Sequence, residues 1–307
     1  MDENEIDDCI IVGGGPGGLT AAIYLARYHL SIRLFDCGTS RAVLIPRTNN
    51  HAGYPDGIPG IELVGNMLAQ AEKFGVVREE KKVVHLAKAG DRFIVGTDEG
   101  TFTARSVLLA TGVFNRHPPG MSDDFHDKVM AKCLLRYCPV CDGYEVTDKR
   151  VGIIGTGEHG TAEALFLRGF TRDITLIAPR GEHNLSGECM DQLDEAAIAR
   201  TQGPCGRYEI RGDRLAVETA EGWLEFDSVY PALGSDIRSE LAQAVGAKCG
   251  ENGCIVVDDH MRTSVPGLYA VGDVVKGLDQ IGHAMGGAGI AATDIRNTLA
   301  EQRPIRR

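Results

Sequence analysis

The run Cys138-Pro139-Val140-Cys141 sets two thiols at the spacing that closes a short disulfide, and Asp142-Gly143 follow directly. A helix N-terminus or an adjacent charge lowers one thiol pKa in such a pair, so its thiolate can serve as nucleophile or electron donor. Two other uses of paired thiols stand beside this one. A zinc site needs about four ligands, with a second pair at suitable spacing. Cys249 and Cys254 could be offered, but they fall in a different predicted unit and lack a flanking histidine pattern, so no metal site is expected. An inert buried pair is the third use, and the Asp-Gly that follows argues against it. Cys9, Cys37, Cys133, Cys189 and Cys205 are expected to be ordinary packing residues.

Two glycine motifs flank the pair. Gly13-x-Gly15-x-x-Gly18 sits between the apolar run Cys9-Ile10-Ile11-Val12 and a helical run, with Asp36 placed 18 residues after Gly18. Glycine there permits a tight turn and lets a pyrophosphate approach the helix N-terminus, and an acidic residue at that distance can accept hydrogen bonds from a ribose. The second motif, Gly155-x-Gly157-x-x-Gly160, follows Val151-Gly152-Ile153-Ile154 and leads into a run with Ala162, Leu165 and Phe166 on adjoining turns.

The elements around the motifs repeat in the same order. A strand, a glycine turn, a helix and a second strand (31–35, then 174–177) are followed by alternating segments around Val83 to Leu86 and Phe93 to Val95, and later around Tyr208 to Ile210, Leu215 to Glu218 and Trp223 to Phe226. Closing strands end at Ala110-Thr111-Gly112 and at Ala232-Leu233-Gly234. This predicts an α/β chain of two Rossmann-like dinucleotide-binding domains, each three-layered ββα. The stretch after about Asp236 is too short for a third, so it is expected to complete the first. The first domain then spans 1–114 and 236–307, with the second, 115–235, inserted in it and carrying the cysteine pair.

The bulk composition agrees. A length of 307 residues suits two domains, and 39 glycines with 43% apolar residues fit a turn-rich α/β protein. A formal charge of −11 repels nucleic acid and anionic membrane, so neither is expected as a partner. Met1 to Asp8 is acidic rather than a signal peptide, no stretch approaches the ~20 apolar residues of a membrane helix, and nine cysteines without secretory context suggest a reducing compartment. A cytoplasmic protein is expected.

Cys138 to Tyr144, with Cys141 14 residues before Gly155, resembles the active-site segment of the low-molecular-weight thioredoxin reductases. The likeness covers nearly the whole chain. Asn50 and Gly53 lie in a segment similar to that family's flavin-contacting loop, Ala110-Thr111-Gly112 is similar to its second flavin motif, and Thr263 to Gly272-Asp273 looks like the third. The resemblance implies FAD in the first domain, with Asp273 on the ribityl or phosphate side and the backbone around Gln280 near the isoalloxazine. It also implies that Cys141 faces the flavin, that Cys138 attacks the substrate disulfide, that Asp142 exchanges protons with the pair, and that a homodimer reduces thioredoxin or a similar small dithiol partner. A histidine at 283, close to that flavin, could tune it or be a plain hydrogen-bonded residue.

The second glycine motif is expected to hold NAD(P)H, but it departs from the family. The basic cluster that grips a 2′-phosphate is reduced to Arg180 in Ala178-Pro179-Arg180-Gly181-Glu182-His183, no acidic residue ends the strand, and Glu158-His159 stand in the turn. A reductase fed by NAD(P)H is therefore set beside a pyridine-nucleotide-independent enzyme or dithiol oxidase, and beside a flavin redox sensor without turnover. Related oxidases tend to carry His after the second cysteine, whereas this chain has Asp142.

Overall fold

The structure is a computed structural model that describes residues 6–303 and residue 305; Met1 to Glu5, the acidic start, lie outside the described residues. Two compact units emerge, one of Met1–Val43, Pro59–Phe114 and Ile237–Arg307, the other of Leu44–Ile58 and Asn115–Asp236. Residues 44–58, counted with the first domain in the sequence reading, cluster with the second unit, and Asn50 goes with them.

In the first unit, β1 (Ile6–Val12) is buried along nearly its whole length, as a central parallel strand covered on both faces must be. The chain turns at Gly13 into α1 (Pro16–Arg27), where Pro16 takes the first helical position, and returns through β2 (Ile32–Phe35) parallel to β1. Helix α2 (Gly60–Glu72) and the two-residue β3 (Arg78–Glu79) lead to β4 (Val83–Ala89) and β5 (Arg92–Thr97), an antiparallel hairpin turned at Gly90 with φ +63. Strand β6 (Thr101–Leu109) completes the order β3-β2-β1-β6-β5-β4.

The chain leaves this unit along β7 (Val113–Asn115) and enters α3 (Asp123–Ala131) and the single turn α4 (Pro139–Asp142). The second Rossmann-like sheet follows: β8 (Val151–Gly155), α5 (Gly157–Leu167), β9 (Ile174–Ile177), α6 (Gly187–Glu195) and β10 (Ala199–Thr201). An antiparallel trio, β11 (Tyr208–Arg211), β12 (Arg214–Thr219) and β13 (Gly222–Phe226), precedes β14 (Ser228–Ala232), which gives the parallel order β10-β9-β8-β14. On the way back, β15 (Ser235–Ile237) pairs with β7 as a two-stranded sheet.

After α7 (Glu240–Ala244), β16 (Leu268–Ala270) adds to the first unit's sheet beside β6. The two halves of β6 divide one edge: Thr101 to Ala104 pair antiparallel with β5, and Val107 to Leu109 pair parallel with β16. Helix α8 (Ile281–Gln302) closes the described chain. Each unit has its own core, the first around Ile10, Phe35, Phe93 and Leu109, the second around Ile154, Ile177 and Phe226 on one sheet face and Ile153, Leu176 and Tyr230 on the other. The predicted α/β architecture with two Rossmann-like units is what the chain adopts.

Candidate active site

The glycine turn of the first unit is built by close backbone approach. A Cβ at Gly18 would lie 1.8 Å from the Gly13 carbonyl oxygen, and one at Gly13, where φ is +110, would lie 2.3 Å from the Ala110 oxygen. Gly15 caps α1 without any side-chain hydrogen bond, so the first-turn amides of α1 face outward as donors for an anion. Asp36 is buried at the end of β2 with its carboxylate 2.6 Å from where a Cβ of Gly14 would stand, and Arg78 Nη1 donates to it at 3.4 Å. These residues fit the pyrophosphate and ribose of a dinucleotide.

The other first-unit residues of the expected flavin site lie on the loops of the same sheet. Gly112 has φ +65, its carbonyl accepts from the Arg238 amide at 3.1 Å, and the Thr111 hydroxyl donates to the Arg238 carbonyl at 2.6 Å. Gly272, at φ +75, turns β16 toward Asp273, whose carboxylate accepts from Arg41 Nη2 at 2.7 Å. Arg41 also donates to Asp279 at 3.2 Å, and Gln280 caps α8. Asn50, in the second unit, is exposed and accepts from the Thr48 hydroxyl at 3.0 Å.

Cys138 and Cys141 form a disulfide with Cα atoms 5.2 Å apart across α4. Cys138 is the helix cap, and the Cys141 amide donates to its Sγ at 3.1 Å. Val140 and Tyr144 beside the pair are exposed. Gly143 is held against the Phe170 ring, which a Cβ would meet at 2.7 Å. Asp142 points into the second unit: its Oδ2 accepts from Arg136 Nη1 at 2.9 Å and its Oδ1 from the Tyr230 hydroxyl at 2.8 Å. Burial raises the Asp142 carboxyl above the ordinary carboxylate range, against the opposing pull of Arg136 and the Tyr230 hydrogen bond. Sequence reasoning missed both partners. The one available signal was a lone arginine ending the apolar run Leu134-Leu135, since a charge in such a position requires a partner.

The second glycine turn keeps the same packing. A Cβ at Gly160 would lie 2.9 Å from the Gly155 carbonyl carbon, Gly157 has φ +64, and Thr156 caps α5 without a side-chain bond to the helix. Thr156 instead holds the loop after β9, its Oγ1 accepting from the Asn184 amide at 2.8 Å and lying 3.3 Å from His183 Nδ1. Glu158 is exposed, and His159 reaches one turn along α5 to Glu163 at 3.3 Å. Arg180 is exposed, while Arg200 on the neighbouring strand is engaged with Asp194 at 2.5 Å. The turn thus fits a pyrophosphate, with Arg180 as the one cation of the expected set.

Of the cysteines expected to pack, Cys9, Cys189 and Cys205 are buried, but Cys37 is exposed on the loop after β2, where no neighbouring element covers it. Among the described residues, no cluster of His, Cys, Asp or Glu could hold a metal ion, and no helix is long and apolar enough to cross a membrane.

A redox disulfide carried by one of two dinucleotide folds defines a disulfide oxidoreductase, and comparison with known proteins agrees. Residues 7–288 match the family described as pyridine nucleotide-disulphide oxidoreductase, and the chain belongs to that family. It is 31% identical to the thioredoxin reductase of Mycolicibacterium smegmatis over 316 residues, covering 97% of this chain and 98% of the relative. Among solved structures, thioredoxin reductase from Streptococcus pyogenes MGAS5005 superposes with a TM-score of 0.87 at 28% identity, over 97% of this chain and 99% of that one. HlmI superposes with a TM-score of 0.87 at 29% identity, over 98% and 95%. The protein is an FAD-dependent oxidoreductase of the low-molecular-weight thioredoxin reductase type.

Proposed function

We propose that the protein passes electron pairs from NAD(P)H through FAD to the Cys138–Cys141 disulfide, and from the resulting dithiol to thioredoxin or a similar small dithiol partner. Bound FAD supplies the two-electron carrier. Its pyrophosphate is assigned to Gly13, Gly15 and Gly18, its ribose to Asp36, and its remaining contacts to Asn50, Thr111, Gly112, Gly272, Asp273 and Gln280. Gly155, Gly157, Gly160 and Arg180 are assigned to the nicotinamide cofactor. The FAD-binding domain is proposed as 1–114 with 236–307, the domain carrying the pair as 115–235, and the working form as a cytoplasmic homodimer.

The observation that carries this reading is the disulfide itself, followed at once by a half-buried, doubly hydrogen-bonded Asp142 that can hold or release a proton. Cys138 is assigned the attack on the partner and Cys141 the exchange with the flavin. The test is reduction of thioredoxin by the purified holoprotein with NADPH or NADH. Turnover abolished in both Cys138→Ser and Cys141→Ser is expected, and turnover surviving in either variant would sink the reading.

One observation favours a second reading. With Arg180 as the one cation at the end of β9, a pyridine-nucleotide-independent enzyme or dithiol oxidase would keep FAD and the disulfide and draw on a different donor or acceptor. Oxygen-dependent oxidation of a dithiol without any nicotinamide cofactor would select it.

A further inference from the structure

Arg136 and Tyr230 reach Asp142 from two pieces of chain that run side by side. Leu135 bridges Val229 in parallel register, the Arg136 amide donates to the Val229 carbonyl at 2.9 Å, and the Val229 amide donates to the Leu134 carbonyl at 2.8 Å. The residues that follow, Arg136 and Tyr230, close on one carboxylate, each taking a different oxygen. Arg136 Nε is anchored in turn on Ser228 Oγ at 3.1 Å, and that hydroxyl donates to the Cys133 carbonyl at 3.0 Å. Tyr230 is fully buried, and the Arg136 and Asp142 side chains are 13% and 22% exposed. Desolvating such a set is unfavourable unless every member is paired, and here both donors converge on the residue next to Cys141.

We propose that Arg136 and Tyr230 are positioning residues for Asp142, fixing its carboxylate for proton exchange with the Cys138–Cys141 pair. The inference rests on the reading of Asp142 as the proton carrier of that pair. The charged and titratable groups facing the carboxylate are Arg136 from the segment before the pair, Tyr230 from β14 and Glu145 from the turn after the pair. Arg136 and Tyr230 favour the carboxylate, and burial and Glu145 oppose it.

In the reduced protein the Cys138 thiol gives its proton to Asp142, and its sulfur attacks one sulfur of the partner's disulfide. The partner's S–S bond breaks, a mixed disulfide forms, and the departing thiolate takes the proton back from Asp142. Cys141 then displaces the partner from Cys138, closing the disulfide and releasing the second partner sulfur with the Cys141 proton. Two electrons have passed from the dithiol to the partner.

The experiment is the pH dependence of iodoacetamide alkylation at Cys138 in the reduced, FAD-containing Cys141→Ser protein, with thermal midpoints recorded alongside. Arg136→Met is expected to raise the alkylation midpoint by about one pH unit, close to a tenfold slower reaction at neutral pH. Tyr230→Phe, which changes no charge, is expected to raise it by less, and Arg136→Lys to stay within about 0.3 units of the parent. Combined with Asp142→Asn, both Arg136→Met and Tyr230→Phe should lose their effect, since they act through that carboxylate. Unshifted midpoints in Arg136→Met and Tyr230→Phe, or shifts of equal size with Asp142→Asn present, would overturn the proposal. A profile unchanged by Asp142→Asn alone would instead overturn the reading of Asp142 on which it rests.

Discussion

The Cys141 amide donates to Cys138 Sγ at 3.1 Å as well as to the Cys138 carbonyl, and a donor already beside a sulfur stabilises the thiolate that forms there on reduction. Reduced Cys141→Ser is therefore expected to take up an aromatic disulfide reagent on Cys138 and keep it as a stable adduct. Cys138→Ser should react about tenfold more slowly at pH 7. Intact-mass kinetics on both variants decide it, and faster reaction of Cys138→Ser would reverse the roles. A second contrast separates Cys37 from Cys9: the first is exposed, while burial pushes the Cys9 thiol up to about 12. Iodoacetamide at pH 8 should label Cys37 in the folded protein and leave Cys9 unmodified until denaturation, as peptide mapping would show. The pair, its aspartate and the glycines were legible because each motif is fixed within a few neighbouring residues. Arg136 and Tyr230 were not, because Tyr230 lies 88 residues from Asp142 and the parallel register that joins them leaves no mark on either local sequence.

Helix α5 carries a half-met carboxylate. Glu163 is half-buried, its Oε1 lies 3.3 Å from His159 Nε2 while its Oε2 is buried without a hydrogen-bond partner, and burial pushes its carboxyl up to about 7. Below the unfolded value near 4.5 both states are protonated and Glu163 contributes nothing to pH dependence. Between about 4.5 and 7 the folded state keeps a proton that the unfolded state has released, so stability falls as pH rises, and above 7 the full cost remains. Glu163→Gln should accordingly stabilise the protein at pH 8 by about 1–3 kcal/mol and change little at pH 4.5. Thermal melts at the two pH values check this, and equal shifts at both would show that packing rather than ionisation is responsible. At this scale the longer strands and the two motif helices were readable, since apolar runs and alternation mark them, whereas the two- and three-residue strands β3, β7, β10, β15 and β16 are too short to carry such a pattern. Helix α6 was not: it buries little beyond Cys189 and Leu193 and starts on Ser186, whose hydroxyl accepts from the Cys189 amide, a cap hidden in a polar stretch.

The whole chain reads as one plan used twice, and the units differ where the nucleotide's ribose would be recognised. In the first, Asp36 ends β2 beside the glycine turn; in the second, β9 runs on into Ala178-Pro179-Arg180, with His183 and Asn184 held on Thr156. The repetition was legible because strand, glycine turn and helix recur in order. The grouping of residues 44–58 with the second unit was not, since it depends on contacts such as Asn49 to Glu145 at 2.7 Å, made across 96 residues of chain. The ribose difference bears on the electron donor. A 2′-phosphate carries close to two charges and is normally held by charge-assisted bonds from more than one Arg or Lys, each worth roughly 1.5–3 kcal/mol. Arg180 can supply one or two of these, and Arg200 is already committed to Asp194. Loss of the others removes several powers of ten from any preference for NADPH, at about 1.4 kcal/mol per factor of ten. Flavin reduction by NADPH is expected to be slow or weakly saturating, with NADPH favoured over NADH by less than about a hundredfold. Stopped-flow reduction with both nucleotides measures it, and fast, micromolar, strongly NADPH-selective reduction would mean that residues outside the expected cluster hold the phosphate.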